Sequence, residues 1–130
     1  MKKIKFRLIQ NNKIVGYEIP ITQPNGIFEW CYQINYIPKK DEICGPSGWS
    51  GIFIRHDIKN QFIGIYDKKG KEIYEGDIVK HRNGNQPVEY YDNNYCFSLN
   101  LSNCTMDQEG TYHGDAIVIG NIYENPELLK

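Results

Sequence analysis

The sequence predicts a mainly β fold: a small antiparallel β-barrel, SH3-like or related, with an N-terminal hairpin layer and a short C-terminal helical turn. Three observations predict it. Strong helix formers are scarce, with one alanine (Ala116) and five leucines against ten tyrosines and abundant isoleucine, and Ile and Tyr favour pleated surfaces. Apolar residues recur with period two in short runs. Clusters of Asn, Asp and Gly punctuate those runs where turns are needed.

Taken in order, residues 4–9 alternate apolar and basic side chains and form the first strand. Ile4, Phe6 and Leu8 are expected inside, and Lys3, Lys5 and Arg7 in water. Asn11-Asn12 turns the chain into residues 13–19, completing a hairpin that Pro20 is expected to end. Residues 22–26 are loop, and 27–36 are extended, with Phe28, Trp30 and Tyr32 on one face. Residues 38–50 hold Pro38, Pro46, Gly45 and Gly48 and read as a linker or long functional loop. Residues 52–55 and 61–66 are strands around a turn at 57–60. Asp67-Lys68-Lys69-Gly70 turns into a strand at 71–74. Glu75-Gly76-Asp77 then opens a strand at 77–82. Gly76 allows a sharp approach, Asp77 bonds neighbouring N–H groups, and Ile78-Val79 start the core, as at the first strand of many SH3-like barrels. Strands at 88–91 and 95–101 follow, then a polar loop at 102–114 and a last strand at 116–123. Asn125-Pro126 caps a final helical turn.

At 130 residues the chain is expected to be one domain, with sub-regions at 1–50 and 51–130, and is long enough to bury a core without staples. No apolar run reaches the roughly 20 residues of a membrane span, and the start lacks a signal-peptide stretch, so the expected compartment is the cytoplasm. Lys and Arg number 15 against 16 Asp and Glu, for a net charge of -1. Proteins that live on phosphate backbones usually carry a basic excess, so direct nucleic-acid binding is disfavoured. Cys31, Cys44, Cys96 and Cys104 form no C-x-x-C pair. A metal site from Cys96, Cys104 and His113 can be drawn, but free thiols acting as small hydrophobes are the better reading, and no metal or cofactor is expected.

Chemistry-bearing patterns are sparse. His56-Asp57 resembles the metal-binding pair of all-helical phosphohydrolases, a fold this composition opposes. Glu72, Glu75 and Asp77 crowd one turn, where Asp77 caps the bend and the glutamates are expected in water. Ser47, Ser50, Ser98 and Ser102 lack a nucleophile elbow, and Gly45-Pro46-Ser47-Gly48 lacks the Lys-Ser/Thr of a phosphate loop. The expectation is a protein that is not an enzyme. Aromatics are the richer signal. Trp30, Tyr32, Phe53, Phe62 and Phe97 alternate in strands and are expected in the core. Trp49, Tyr90, Tyr91 and Tyr95 sit near turns and form the candidate interaction surface.

Residues 61–79, with Ile65-Tyr66-Asp67-Lys68-Lys69-Gly70-Lys71 and Tyr74-Glu75-Gly76-Asp77-Ile78-Val79, resemble the signature of the YopX-like family. So do Ile4-Lys5-Phe6-Arg7 and the ending Val118-Ile119-Gly120-Asn121-Ile122-Tyr123-Glu124-Asn125-Pro126. Residues 20–50 are not placed within that pattern, and Ile63-Gly64-Ile65 stands where relatives usually read Thr-Gly-Leu. The resemblance implies a small, mostly β protein of phages and prophages of low-GC Gram-positive bacteria, with no catalytic residue to carry over. The leading expectation is a non-enzymatic binding protein that engages or inhibits a host protein in the bacterial cytoplasm. One alternative is a nucleic-acid-binding small barrel that stacks bases on Tyr90, Tyr91 and Tyr95 and uses Lys68, Lys69, Lys71, Lys80 and Arg82. Another is a sponge for an immune nucleotide signal. A homo-oligomer fits a chain with many strand edges to cover.

Overall fold

A computed structural model describes residues 4–36, 38, 48–81, 84–91, 96–98, 105–106, 112–113 and 116–129, with backbone alone at 81, 90–91, 96–98, 105–106 and 112–113. In chain order the strands are β1 (Phe6–Gln10), β2 (Lys13–Thr22), β3 (Phe28–Gln33), β4 (Ile58–Tyr66), β5 (Glu72–Tyr74) and β6 (Asp77–His81). They continue with β7 (Gly84–Pro87), β8 (Glu89–Tyr91), β9 (Cys96–Ser98), β10 (Thr105–Met106), β11 (Tyr112–His113) and β12 (Ile117–Asn121). The protein is mainly β, and the helical structure among the described residues is one 3-10 turn at Pro126–Leu129. That turn follows Asn125 as expected, with Leu128 N–H donating to the Asn125 carbonyl, but the Asn125 side chain does not cap it: its Oδ1 accepts from Asn121 N–H at 3.2 Å.

Every ladder is antiparallel. One sheet runs β3-β2-β1-β4-β5, a second runs β12-β6-β7, and β8-β9 and β10-β11 pair by themselves. Among the described residues these ladders form open sheets, and no closed barrel is found. β4 and β5 complete the sheet begun by β1–β3, so the sequence division at residue 50 runs through one sheet. No helix among the described residues is long and apolar enough to cross a membrane.

The first hairpin forms as its sequence dictates. Asn11 and Asn12 both hold left-handed backbone, at φ 53° and 63°, the pair of conformations a two-residue hairpin turn needs. Pro20 does not end β2, which continues to Thr22. Pro20 pairs with Trp30 on one side, and its missing N–H faces the other side, beyond Phe6, where β1 has not begun. Residues 52–55 are not a strand. They cross the outer face of the sheet, where Phe53 meets the Tyr32 ring at 5.4 Å and Ile54 lies over Gly16, leaving no room for a Cβ there. Gly64, at φ 92°, carries the irregularity that bends β4 between Phe62 and Tyr66.

Asp67 ties the two sheets together. Its Oδ1 accepts from the N–H groups of Lys69 (2.8 Å) and Lys71 (2.9 Å), which closes the turn into β5, and its Oδ2 accepts from Val118 N–H of β12 at 2.9 Å. Asp67→Ala strands those three donors and is expected to cost about 3 kcal/mol in urea unfolding, with Asp67→Asn intermediate.

The core inverts one sequence expectation. Lys5 and Arg7 are 2% and 4% exposed, whereas Ile4 is exposed and Phe6 half-buried. Carboxylates on β5 and β6 draw the basic face of β1 inward. Lys5 pairs with Glu72, itself fully buried and not in water, and Arg7 pairs with Asp77. Around these pairs pack Tyr17, Ile19, Cys31, Tyr36, Trp49, Phe62, Tyr66 and Tyr74. A second cluster of Ile65, Ile73, Val79, Val88 and Ala116 joins β4 and β5 to the β6 sheet.

Candidate interaction surface

Because the basic side of β1 turns inward, Ile4 and Phe6 on its other side turn out, while Leu8 on that side is buried as expected. Phe6 of β1 meets Trp30 of β3 edge-on at 6.0 Å, and Phe28 meets Trp30 at 5.3 Å. Ile27, Phe28 and Trp30 are 59%, 54% and 38% exposed, although Trp30 is expected in the core. Lys59 of β4 lays its ammonium 4.9 Å from the Phe6 ring and 5.4 Å from Trp30, and is held by Glu18 Oε1 at 2.7 Å. Glu18 is buried and Lys59 is partly exposed, so the carboxylate pins a cation across the aromatic strip.

The same strip borders a strand edge. β3 is the outer strand of its sheet. Tyr32 spends its outward N–H and C=O on Ser50, at 2.7 and 3.0 Å. Period two puts the matching groups of Trp30 and Phe28 on that same edge, where no strand lies among the described residues. Large aromatic side chains beside free backbone groups can take an extended segment as an added strand.

The opposite face of β1 supplies the rigidity. Glu72 Oε2 accepts from Lys5 and from the Tyr36 hydroxyl (2.9 Å), and its Oε1 accepts from the Tyr74 hydroxyl (2.9 Å). Arg7 donates to Asp77, to Asn60 Oδ1 at 3.1 and 3.2 Å, and to the Glu75 carbonyl at 3.2 Å. Asn60 passes the network on to the Tyr123 hydroxyl at 2.9 Å. Asp77 Oδ2 accepts from Tyr74 N–H at 2.8 Å, the bend-capping role its sequence position suggests. Burial, and then the neighbouring Glu72 charge, push the Tyr74 hydroxyl far above the ordinary tyrosine range. The carboxylates crowded at this turn thus neutralise cations and hold hydroxyls.

The sequence-predicted surface residues fare differently. Trp49 is a correction: it is 8% exposed and packs on Tyr36 at 5.4 Å, because β2 and β3 leave a slot that its ring fills. Tyr90 and Tyr91 belong to β8, but their side chains lie outside the described residues, as does all of Tyr95. Phe53, expected in the core, is 62% exposed, and Phe97 has backbone alone described, in β9. Phe6, Ile27, Phe28 and Trp30 are the residues that sequence reasoning missed as surface. The signal that would have found them is the inward pull of Glu72 and Asp77 on Lys5 and Arg7. The drawn metal site falls mostly outside the described residues, with Cys104 absent from them and Cys96 and His113 present as backbone. Among the described residues no group of three His, Cys, Asp or Glu is placed to hold a metal ion. His56 Nδ1 instead lies 2.7 Å from the Ile54 carbonyl.

The family model described as "YopX protein" matches residues 10–130. No match is found among curated proteins. Among solved structures, protein EF1440 from Enterococcus faecalis is similar, at 25% identity over the whole of both chains and a TM-score of 0.58.

Proposed function

Because this chain belongs to the YopX protein family, we propose that it is a phage- or prophage-encoded binding protein without enzymatic activity, which engages or inhibits a host protein in the bacterial cytoplasm. The observation that carries the reading is the exposed aromatic strip of Phe28 and Trp30 along the part of the β3 edge where no described residue pairs. A partner segment adds to that edge as a strand, its side chains covering the two rings. Richness in Ile, Asn, Lys and Tyr agrees with an AT-rich coding sequence and so with the proposed origin. For residues 51–130 the small barrel belongs to the same reading, as the arrangement that β6 to β12 would complete. Nucleic acid is the poorer partner: the net charge is -1, and Lys5 and Arg7 are withdrawn into ion pairs.

The test is affinity capture from host cells with the tagged chain and a Trp30→Ser variant. Truncating a ring at the centre of such a contact is expected to weaken capture of one host protein by at least about tenfold, with thermal melting unchanged. Equal capture by both chains would move the interface elsewhere. Absence of any enriched host protein would remove the reading.

A further inference from the structure

On the face of the first sheet opposite the aromatic strip, a cavity of about 190 Å³ opens between Ile14 and Tyr17 of β2 and residues 118–121 of β12. Its floor is the Arg7–Asp77 pair and Glu72, all engaged with one another, with Lys5 or with tyrosines and asparagine, so they have little left to offer a guest. Three other groups keep bonding capacity toward the cavity. Tyr17 is 6% exposed, yet no described residue bonds its hydroxyl. Lys71 and Glu124 line the cavity, both are exposed, and neither forms an ion pair with a described residue; Glu124 Oε1 accepts from Asn121 Nδ2 at 2.9 Å, which leaves Oε2 for a guest. Burial pushes the Tyr17 hydroxyl up to about 12, so it stays a donor at neutral pH.

These groups define the guest. The floor charges cancel, and the two free charges have opposite signs. A simple anion meets Glu124 unfavourably, and a simple cation meets Lys71 unfavourably, whereas a molecule with one charge of each sign satisfies both. At about 190 Å³ the cavity is smaller than the roughly 300–1,000 Å³ of sites for drug-sized ligands. A guest smaller than a nucleotide fits it best. We propose that this cavity binds a small zwitterion of free amino-acid size, with its carboxylate on Lys71 and the Tyr17 hydroxyl and its ammonium on Glu124. Ile14, Val118 and Ile119 accept a short aliphatic side chain.

Calorimetric titration of the full chain with glycine, alanine, valine, serine, aspartate and lysine tests this, with acetate and ethylamine as single-charge controls. At least one amino acid is expected to bind about tenfold tighter than either control. Tyr17→Phe and Lys71→Gln should each weaken it about fivefold or more. Both variants should keep the fold, since the hydroxyl has no partner among the described residues and Lys71 is exposed. No binding by any amino acid, equal binding by acetate or ethylamine, or indifference to both variants would overturn the proposal. A host-protein contact at the β3 edge stands or falls independently of these outcomes.

Discussion

Glu72→Leu is expected to remove about 3–5 kcal/mol of stability, which leaves a domain of this size near the edge of folding. Lys5 is then a buried cation facing an apolar side chain, and the Tyr36 and Tyr74 hydroxyls lose their acceptor as well. The size of the loss reflects what is left behind more than what the pair contributes. Two charges taken out of water are costly, and their attraction roughly repays that cost only while both remain. Adding Lys5→Met to Glu72→Leu should therefore recover most of the deficit, and urea unfolding of the four chains in the cycle measures the coupling. If the double variant were no more stable than Glu72→Leu alone, Lys5 would not depend on Glu72, and the ion pair would not be what turns β1 inward.

Alkaline unfolding is the second large effect. Burial raises Tyr17 from 10.0 to about 12 and carries Tyr74 higher still. Below pH 10 both rings are neutral in the folded and unfolded chain, and their contribution is whole. Between pH 10 and 12 the unfolded chain releases protons that the folded chain retains, so stability falls with each step of pH. The Tyr17 contribution alone is about 3 kcal/mol, lost by the time pH passes its folded value. Unfolding monitored by circular dichroism should move to markedly lower urea across this window, with tyrosinate absorbance appearing in step with unfolding. Tyr17→Phe should flatten the slope. Tyrosinate that forms while the fold persists would show that the rings are wetter than their packing indicates.

Much of the strand pattern was legible because local rules governed it. The Asn11-Asn12 hairpin, the Asp67 turn, the Asp77 bend and the closing helical turn each depend on a few consecutive residues, and their chemistry is written there. What escaped depended on partners far along the chain. Alternation at residues 4–9 shows two faces but does not say which is inside. The rule that apolar residues go inward picks Ile4 and Phe6, whereas Glu72 and Asp77, beyond any local window, reverse it for Lys5 and Arg7. Once that face is inverted, Trp30 and Phe28 follow Phe6 to the outside through the sheet register. Trp49 misled for the reverse reason. A Gly-rich neighbourhood suggests an exposed loop, but the ring packs on Tyr36 within the buried cluster of the first sheet. The cavity charges were visible as residues, but only the fold brings Lys71 and Glu124 to one place.

The first strand lies in the middle of its sheet, and its two cations find their carboxylates 67 and 70 positions later. During synthesis the leading segment leaves the ribosome well before its counter-ions are made. The nascent polypeptide must therefore wait, with its opening hairpin unanchored, until the second half has emerged. Such long-range closure slows assembly and favours completion after translation over stepwise growth from the amino end.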